Sequence, residues 1–453
     1  GARGPRPFQA HAPGWESFSV DKSLLVEHSE YFRALFQSGM RESTQKEIQV
    51  RDLSAVGFSI MLQILQGEHP LLSCEENLKL VECASFLQVK AVAKYLIASI
   101  NSDNCFLLYQ AAAVFGLLDL FHSAALYIRD SYSDLEEDLD CLPPDLLGYV
   151  ESLLPSTFVA VGAHTPTFEF LEDVSRTICY LDEDNNQWRT LSCLPLTATT
   201  FLAGMTTLDN KVYIVGGVYG YNKQVVEQSF CYDPASNSWS EFPSPQQLRY
   251  DVTLTGQEGH LYAIGGEFEK TPLKSVEKFD LSSKTWSFAS DLPQAAGAVP
   301  CAQTMGRIFV CLWKPLDTTV IYEYAPAKDE WLPVSTLNRE QSYGHCMVAH
   351  RDNLYIMRNG PFDDFLRCAI DRFNLTTMQW TALPGQYMNS KGALFTAVIR
   401  GDTVYTVNKM LTLLYSIEGN QWKFKKERAG FPRSGSLQTF LLRLPRTDHS
   451  IAT

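Results

Sequence analysis

Val212-Tyr-Ile-Val-Gly-Gly217, followed fifteen residues on by Tyr232-Asp-Pro-Ala-Ser-Asn-Ser-Trp239, is the stretch that decides the fold. A short β-rich run ends on a glycine pair, and an aromatic then precedes a tryptophan by seven residues. The aromatic–tryptophan pair recurs at Phe279/Trp286, Tyr324/Trp331, Phe373/Trp380 and Tyr415/Trp422, and Tyr180/Trp188 reads as a sixth copy with one extra residue. Successive tryptophans are 51, 47, 45, 49 and 42 residues apart. A strand-like run lies upstream of each: Phe158–Gly162, Val212–Gly217, Leu261–Gly266, Ile308–Val310, Leu354–Ile356 and Val404–Val407. A period near 50 residues with four short strands per unit is that of a β-propeller blade, so six units predict six blades.

In the third unit the strands parse as Arg249–Thr255, His260–Gly266, Lys274–Asp280 and Thr285–Ala289. The first unit has only Pro155-Ser156 before Phe158, so it starts at its second strand. The β-rich run Ser436–Leu444 supplies the missing one, which closes the ring and removes a free sheet edge. The glycine pair is intact only at Gly216-Gly217 and Gly265-Gly266. It becomes Gly162-Ala163, Cys311-Leu312, Arg358-Asn359 and Asn408-Lys409 elsewhere, which predicts altered loops on blades four to six.

Upstream of residue 156 the texture is helical. Leu24, Leu25, His28, Tyr31, Phe32, Leu35 and Phe36 fall on one helical stripe. Further helices are signalled around Leu78–Leu87, over Leu107–Phe115 up to Gly116, and over Leu120–Ile128. Residues 130 to 151 hold eight acids and no base and are broken by Leu142-Pro143-Pro144, as a solvated helix face and linker would be.

The charge supports the same division. Residues 1–156 carry 21 acids and 11 bases, a net of −10, and the remainder 30 and 27, a net of −3, together the −13 of the chain. Nothing resembles the basic footprint that nucleic acid requires. No signal peptide and no membrane span is expected, and Asn374-Leu-Thr376 is read as a chance glycosylation sequon. Eleven cysteines without a C-x-x-C pair read as reduced thiols, so a soluble cytoplasmic protein is expected.

The helical part contains Leu24-Leu25, His28-Ser-Glu-Tyr-Phe-Arg-Ala-Leu-Phe36, Gly39-Met40-Arg41-Glu42, Ala84-Ser-Phe-Leu-Gln-Val89 and Asn104-Cys105. With the propeller repeats, these stretches resemble the BTB–kelch family from end to end. The fold implied is multidomain: an α-rich BTB domain over 8–102, a short helical BACK-like region over 103–155, an all-β six-bladed kelch propeller over 156–446, and a tail at 447–453. Asp21-Lys22 stands in for the family's basic residue before the first long BTB helix, and Pro13-Gly14 departs from the pattern in the amino-terminal strand before it.

The resemblance implies a substrate adaptor of a cullin-3 ubiquitin ligase, with no catalysis of its own. The BTB domain would form a homodimer and dock cullin-3 through Met40, Arg41 and Glu42. The propeller face would hold a protein substrate with Thr199, Tyr219, Arg249, Tyr250, Glu267, Trp313, Tyr343, Asn359 and Ser390. A dimeric scaffold on the actin cytoskeleton is the alternative. Seven bases against one acid over Lys423–Arg446 fit a solvated edge, or contact with an acidic partner.

An oxidase on a kelch fold would need His and Tyr ligands converging from several blades. His164, His260, His345 and His350 are the propeller's candidates, with His449 in the tail, and each reads as a structural histidine. Cys346 neighbours His345 on a strand, where adjacent side chains point to opposite faces. No G-x-S-x-G, P-loop or H-E-x-x-H motif occurs, so no cofactor and no metal are expected.

Overall fold

The structure is a computed structural model that describes residues 8–12, 16–37, 47–49, 53–164, 175–219, 224–314, 318–338, 346–359, 367–387, 396–407, 412–417, 419–425, 431–432 and 434–445. It divides into two compact units, Gly1–Leu153 and Leu154–Thr453.

In the first unit, β1 (Phe8–Ala12) pairs antiparallel with β2 (Glu16–Val20) and parallel with β3 (Glu47–Gln49). Among the described residues this unit also holds eight α-helices: α1 (Lys22–His28), α2 (Glu30–Gln37), α3 (Ala55–Leu65), α4 (Cys74–Leu87), α5 (Lys90–Ala98), α6 (Cys105–Phe115), α7 (Leu118–Asp130) and α8 (Pro144–Ser152). One core gathers Leu25, Phe32, Phe58, Met61, Leu80 and Leu87. A second gathers Tyr109, Ala125, Ile128, Leu139 and Val150. The stripe from Leu24 to Phe36 forms two helices rather than one. Ser29 between them is extended and bridges Val89. Its buried hydroxyl donates to Leu87 O at 2.6 Å and accepts from Phe32 N at 3.2 Å, which caps α2. Gly116 ends α6 in the left-handed conformation, as read from sequence. Pro144, read as a breaker, occupies the first turn of α8, where its missing N–H costs nothing.

The second unit is a ring of six four-stranded antiparallel sheets. Blade one comprises β4 (Ser156–His164), β5 (Ser175–Asp182) and β6 (Gln187–Cys193). Blade two holds β7 (Ala203–Leu208), β8 (Lys211–Gly216), β11 (Ser229–Asp233) and β12 (Ser238–Phe242), with a ribbon of β9 (Val218–Tyr219) and β10 (Gln224–Val225). Blade three holds β13 (Thr253–Gln257), β14 (His260–Ile264), β17 (Val276–Asp280) and β18 (Thr285–Ala289), with a ribbon of β15 (Glu267–Phe268) and β16 (Thr271–Pro272). Blade four is β19 (Cys301–Thr304), β20 (Arg307–Lys314), β21 (Thr318–Ala325) and β22 (Glu330–Asn338). Blade five is β23 (Cys346–His350), β24 (Asn353–Asn359), β25 (Arg367–Asn374) and β26 (Gln379–Tyr387). Blade six is β27 (Thr396–Arg400), β28 (Thr403–Val407), β29 (Thr412–Ser416) and β30 (Gln421–Lys425). The last strand, β31 (Ser434–Arg443), pairs with β4 and is the inner strand of blade one.

The seven-residue spacing has a direct cause. Tyr232, Phe279, Tyr324, Phe373 and Tyr415 are the cross-strand partners of Trp239, Trp286, Trp331, Trp380 and Trp422. Their ring centroids lie 4.8–5.1 Å apart. Two residues before each tryptophan the chain is left-handed, at Asn237, Lys284, Asp329, Met378 and Asn420, so a tight turn fixes the count. In blade one the partner of Trp188 is Leu181, not Tyr180. The sixth copy therefore keeps the spacing of seven and replaces the aromatic with leucine. The indoles also join the blades. Trp239 donates to Ser192 Oγ (3.1 Å), Trp286 to Pro243 O (2.6 Å), Trp331 to Ser290 O (2.9 Å) and Trp380 to Ser335 Oγ (2.9 Å), each in the preceding blade.

The glycine pairs separate two kinds of blade. At Gly216-Gly217 (φ 68° and 91°) and Gly265-Gly266 (φ 58° and 97°) the second strand stops and the chain turns into a ribbon. A Cβ on Gly216 would lie 2.2 Å from Arg249 O, and one on Gly265 2.3 Å from Ala296 O, so the next blade's loop seats against each glycine. Cys311 and Leu312, at the equivalent place, stay in β20, whose pairing with β21 runs on to Lys314–Thr318. In blade five, pairing likewise continues to Asn359–Cys368.

Candidate protein-interaction face of the propeller

The inner strands β7, β13, β19, β23, β27 and β31 surround a channel of about 1060 Å³. Asp251 is the one charged residue among those that line it in the described structure. At one mouth the chain enters the inner strands through left-handed residues: Leu202 (φ 57°), Asp251 (φ 53°) and Ala298 (φ 49°). They are strung together by backbone bonds, with Asp251 N donating to Leu202 O (2.7 Å) and Ala298 N to Asp251 O (2.8 Å). The two ribbons stand on this same face. Val218 N donates to Phe201 O, and Tyr250 and Glu267 exchange both of their backbone bonds.

The expected contact residues divide by depth. Tyr219, Glu267 and Trp313 are partly exposed on the face. Tyr219 donates its hydroxyl to Thr197 O, which fixes the ring along the loop before β7. Glu267 shares the surroundings of Gly297 with Asp251: a Cβ there would meet Asp251 Oδ2 at 3.0 Å and Glu267 Cγ at 3.4 Å. Trp313 lines a cleft of about 280 Å³ with the loop Gln294–Pro300, and its carbonyl accepts from Gln294 Nε2 at 2.8 Å. Its buried indole N–H meets no acceptor among the described residues.

Arg249, Tyr250 and Thr199 lie beneath the face, which corrects their reading as contact residues. Arg249 is 1% exposed. Its Nη1 donates to Gly265 O (2.9 Å) and Ser275 O (2.7 Å), and its Nη2 to Ser275 Oγ (2.8 Å) and Glu277 Oε2 (2.9 Å). Burial pulls the guanidinium below its ordinary pKa and the Glu277 carboxylate opposes that shift. Glu277 in turn accepts from Gln246 N (2.6 Å) and Gln247 N (3.2 Å), so the pair anchors the loop that leads into β13. Tyr250 is 2% exposed, and Thr199 is buried with its hydroxyl donated to Val218 O at 2.9 Å. Residues that sequence reading did not single out take their place on the surface: Leu196 and Phe201 are exposed and Asp251 stands at the mouth. A lone leucine or phenylalanine in a loop gives no signal in sequence. Met40, Arg41, Glu42, Tyr343 and Ser390 lie outside the described residues, as does the side chain of Asn359.

Of these histidines, the described ones, His164, His260 and His350, each have a hydrogen-bonding partner within the fold. His164 Nε2 lies 2.9 Å from Thr177 Oγ1 and 3.6 Å from Cys179 Sγ, and burial pushes the Cys179 thiol up, away from a reactive thiolate. His350 Nε2 contacts Asp402 Oδ1 of the next blade at 2.5 Å. His345 and His449 lie outside the described residues. Burial holds the Cys346 thiol at about 12. Among the described residues no group of three or more metal-capable side chains converges, and every cysteine is a free thiol.

The BTB/POZ domain model matches residues 11–103, and the Kelch motif model matches residues 200–246 and 248–293. Over 445 residues the chain is 60% identical to human Kelch repeat and BTB domain-containing protein 13, which covers 98% of this chain and 97% of that protein. The chain belongs to the BTB–kelch family. Mouse Kelch repeat and BTB domain-containing protein 13 is 59% identical over 440 residues, with 97% of this chain and 95% of that protein covered. Kelch-like protein 42 from mouse is 28% identical over 450 residues, with 88% and 89% covered. The two kelch matches coincide with blades two and three, the blades that keep both glycines and their ribbons. Within this BTB–kelch chain the other four blades keep the tryptophan pairing and drop the glycine exit.

Proposed function

We propose that the chain is a non-catalytic substrate-recognition adaptor of a cullin-3 RING ubiquitin ligase. The BTB domain docks cullin-3 and forms the homodimer, and the channel-mouth face of the propeller holds the substrate protein. The observation that carries this reading is the end-to-end match to BTB–kelch relatives, with a BTB domain and a propeller in one chain. Supporting it, the face offers what protein interfaces use: a partly exposed Tyr219 and Trp313, an exposed Phe201 and carboxylates at the mouth. Docking falls on Met40-Arg41-Glu42, an apolar side chain beside a carboxylate that pairs with donors on the cullin. Capture of purified cullin-3 by the full chain, compared with Met40→Asp/Glu42→Ala, tests it. The double variant is expected to lose capture while keeping its thermal midpoint; unchanged capture overturns the assignment.

A further inference from the structure

Blade three carries a hairpin whose backbone is at odds with its sequence. β15 and β16 pair Glu267 with Pro272 and Phe268 with Thr271, which leaves Glu269 and Lys270 as the tip. Both are left-handed, with φ of 50° and 63°. Such a turn favours Asn-Gly or Asp-Gly, because a side chain at positive φ crowds its own carbonyl. The comparable two-residue turns comply: Asp209-Asn210, Glu258-Gly259 and Met305-Gly306 each place Gly or Asn at the second position. Among the described residues, Glu269-Lys270 is the one such tip without Gly, Asn or Asp.

The conformation is imposed from below. The Tyr250 hydroxyl accepts the Lys270 N–H at 2.9 Å. Tyr250 N donates to Glu267 O (3.0 Å), Glu267 N to Tyr250 O (2.7 Å) and Leu273 N to Gly266 O (2.8 Å), so the base is clamped on both arms. Glu269, Lys270, Thr271 and Pro272 are all exposed. Strain of this sort persists only where the surroundings over-determine it, and it concentrates at sites of contact.

We infer that the Glu267–Pro272 hairpin is a rigid recognition prong, which Tyr250 positions so that Glu269 and Lys270 meet a protein surface bearing the opposite pair of charges. The inference rests on the adaptor reading and names the chemistry of what that face takes. Because the tip is fixed before contact, no loop has to be ordered on binding. Tyr250 acts only through the tip and is a positioning residue.

The full chain carrying p-benzoylphenylalanine at Phe268, or at Tyr219 on blade two, is irradiated in cells and its adducts are resolved by mass. Adducts are expected at both positions. The Phe268 adduct should fall about tenfold with Glu269→Lys/Lys270→Glu. No adduct at either position overturns the adaptor reading itself. An adduct at Tyr219 with none at Phe268, or one indifferent to the charge swap, overturns the prong alone. Tyr250→Phe should leave the thermal midpoint unchanged, speed amide exchange at Lys270 and weaken the Phe268 adduct; unchanged exchange removes the positioning role. Glu269→Asn/Lys270→Gly should raise the thermal midpoint and weaken the adduct. A lower or unchanged midpoint removes the strain, and an undiminished adduct removes the charge recognition.

Discussion

Arg249 and Glu277 form an ion pair from which solvent is wholly excluded, with Nη2 and Oε2 2.9 Å apart and both side chains 0% exposed. Its other donors and acceptors are met by Gly265, Ser275, Gln246 and Gln247, so neither charge is left without hydrogen bonds. Removing one partner strands the other in a dry site, which costs about 3–5 kcal/mol. Arg249→Ala and Glu277→Ala are each expected to lower propeller stability by that amount in urea unfolding. The double variant should fall well short of the sum, because the stranded charge is gone. Additive losses would show that the two residues act separately. It also follows that partner binding lost in an Arg249 variant reports the fold of blade three before it reports contact.

Ser29 sets the corner between α1 and α2, and its hydroxyl works in both directions. Ser29→Ala leaves the buried Leu87 carbonyl without that donor and α2 without its cap. A loss of about 1–3 kcal/mol is expected, the cost of unsatisfied buried polar groups. Urea unfolding followed through the first unit checks it, and Ser29→Thr, which keeps the hydroxyl, should recover part of the loss.

β31 is stitched to both neighbours as well as to its own sheet. Gln438 Nε2 donates to Ala203 O at 3.0 Å on the blade-two side, and Thr439 Oγ1 lies 3.1 Å from Thr396 Oγ1 on the blade-six side. Arg443 and Asn210 exchange two further bonds, at 2.7 and 2.9 Å. A chain ending at residue 430 would leave the β4 edge open and unlink blade six from blade one. Its thermal midpoint is expected to fall by about 10 °C or more, as a loss of several kcal/mol does in a domain of this size. A propeller melting at the wild-type temperature would show that ring closure contributes little.

Some of this was open to reading in the chain itself, for identifiable reasons. The aromatic and tryptophan residues are direct cross-strand partners across a turn of fixed length, so a packing relation became a count along the sequence. Blade one reads one residue out of register in sequence because Tyr180 is a plausible aromatic next to Leu181, the residue that faces Trp188. The break at Ser29 was hidden because the apolar stripe continues through it, while the cause, the Leu87 carbonyl, lies 58 residues away. In sequence alone Arg249 reads as a surface anchor for the same reason. Its partner Glu277 is 28 residues on, and no local pattern reveals a buried arginine. The glycine pairs were legible as turns, but the ribbon that follows each of them was not.

Asp182 gives the propeller an acid-sensitive point. Its carboxylate accepts from Asn185 Nδ2 (2.8 Å) and Arg189 Nε (2.7 Å), and also from Asn185 N (3.2 Å), at the turn between β5 and β6. The Asn185 side chain and then Arg189 hold its pKa at about 2, against an ordinary 3.8. Asp329 is lowered in the same sense by the Ser290 N–H across the seam of blades three and four and by the Tyr324 hydroxyl of its own blade. A carboxylate with a depressed folded pKa stabilises fully above its unfolded value and loses that contribution as pH falls through the folded one. Asp182→Asn should therefore be less stable than the wild type near neutral pH, by a margin that stays level down to about pH 5. Between 3.8 and about 2 the margin should close, since the wild-type carboxyl is protonated there too. Urea midpoints of the two proteins across this range check the sign: a margin that widened in acid would mean that Asp182 is held neutral in the folded state, which reverses the role its donors imply.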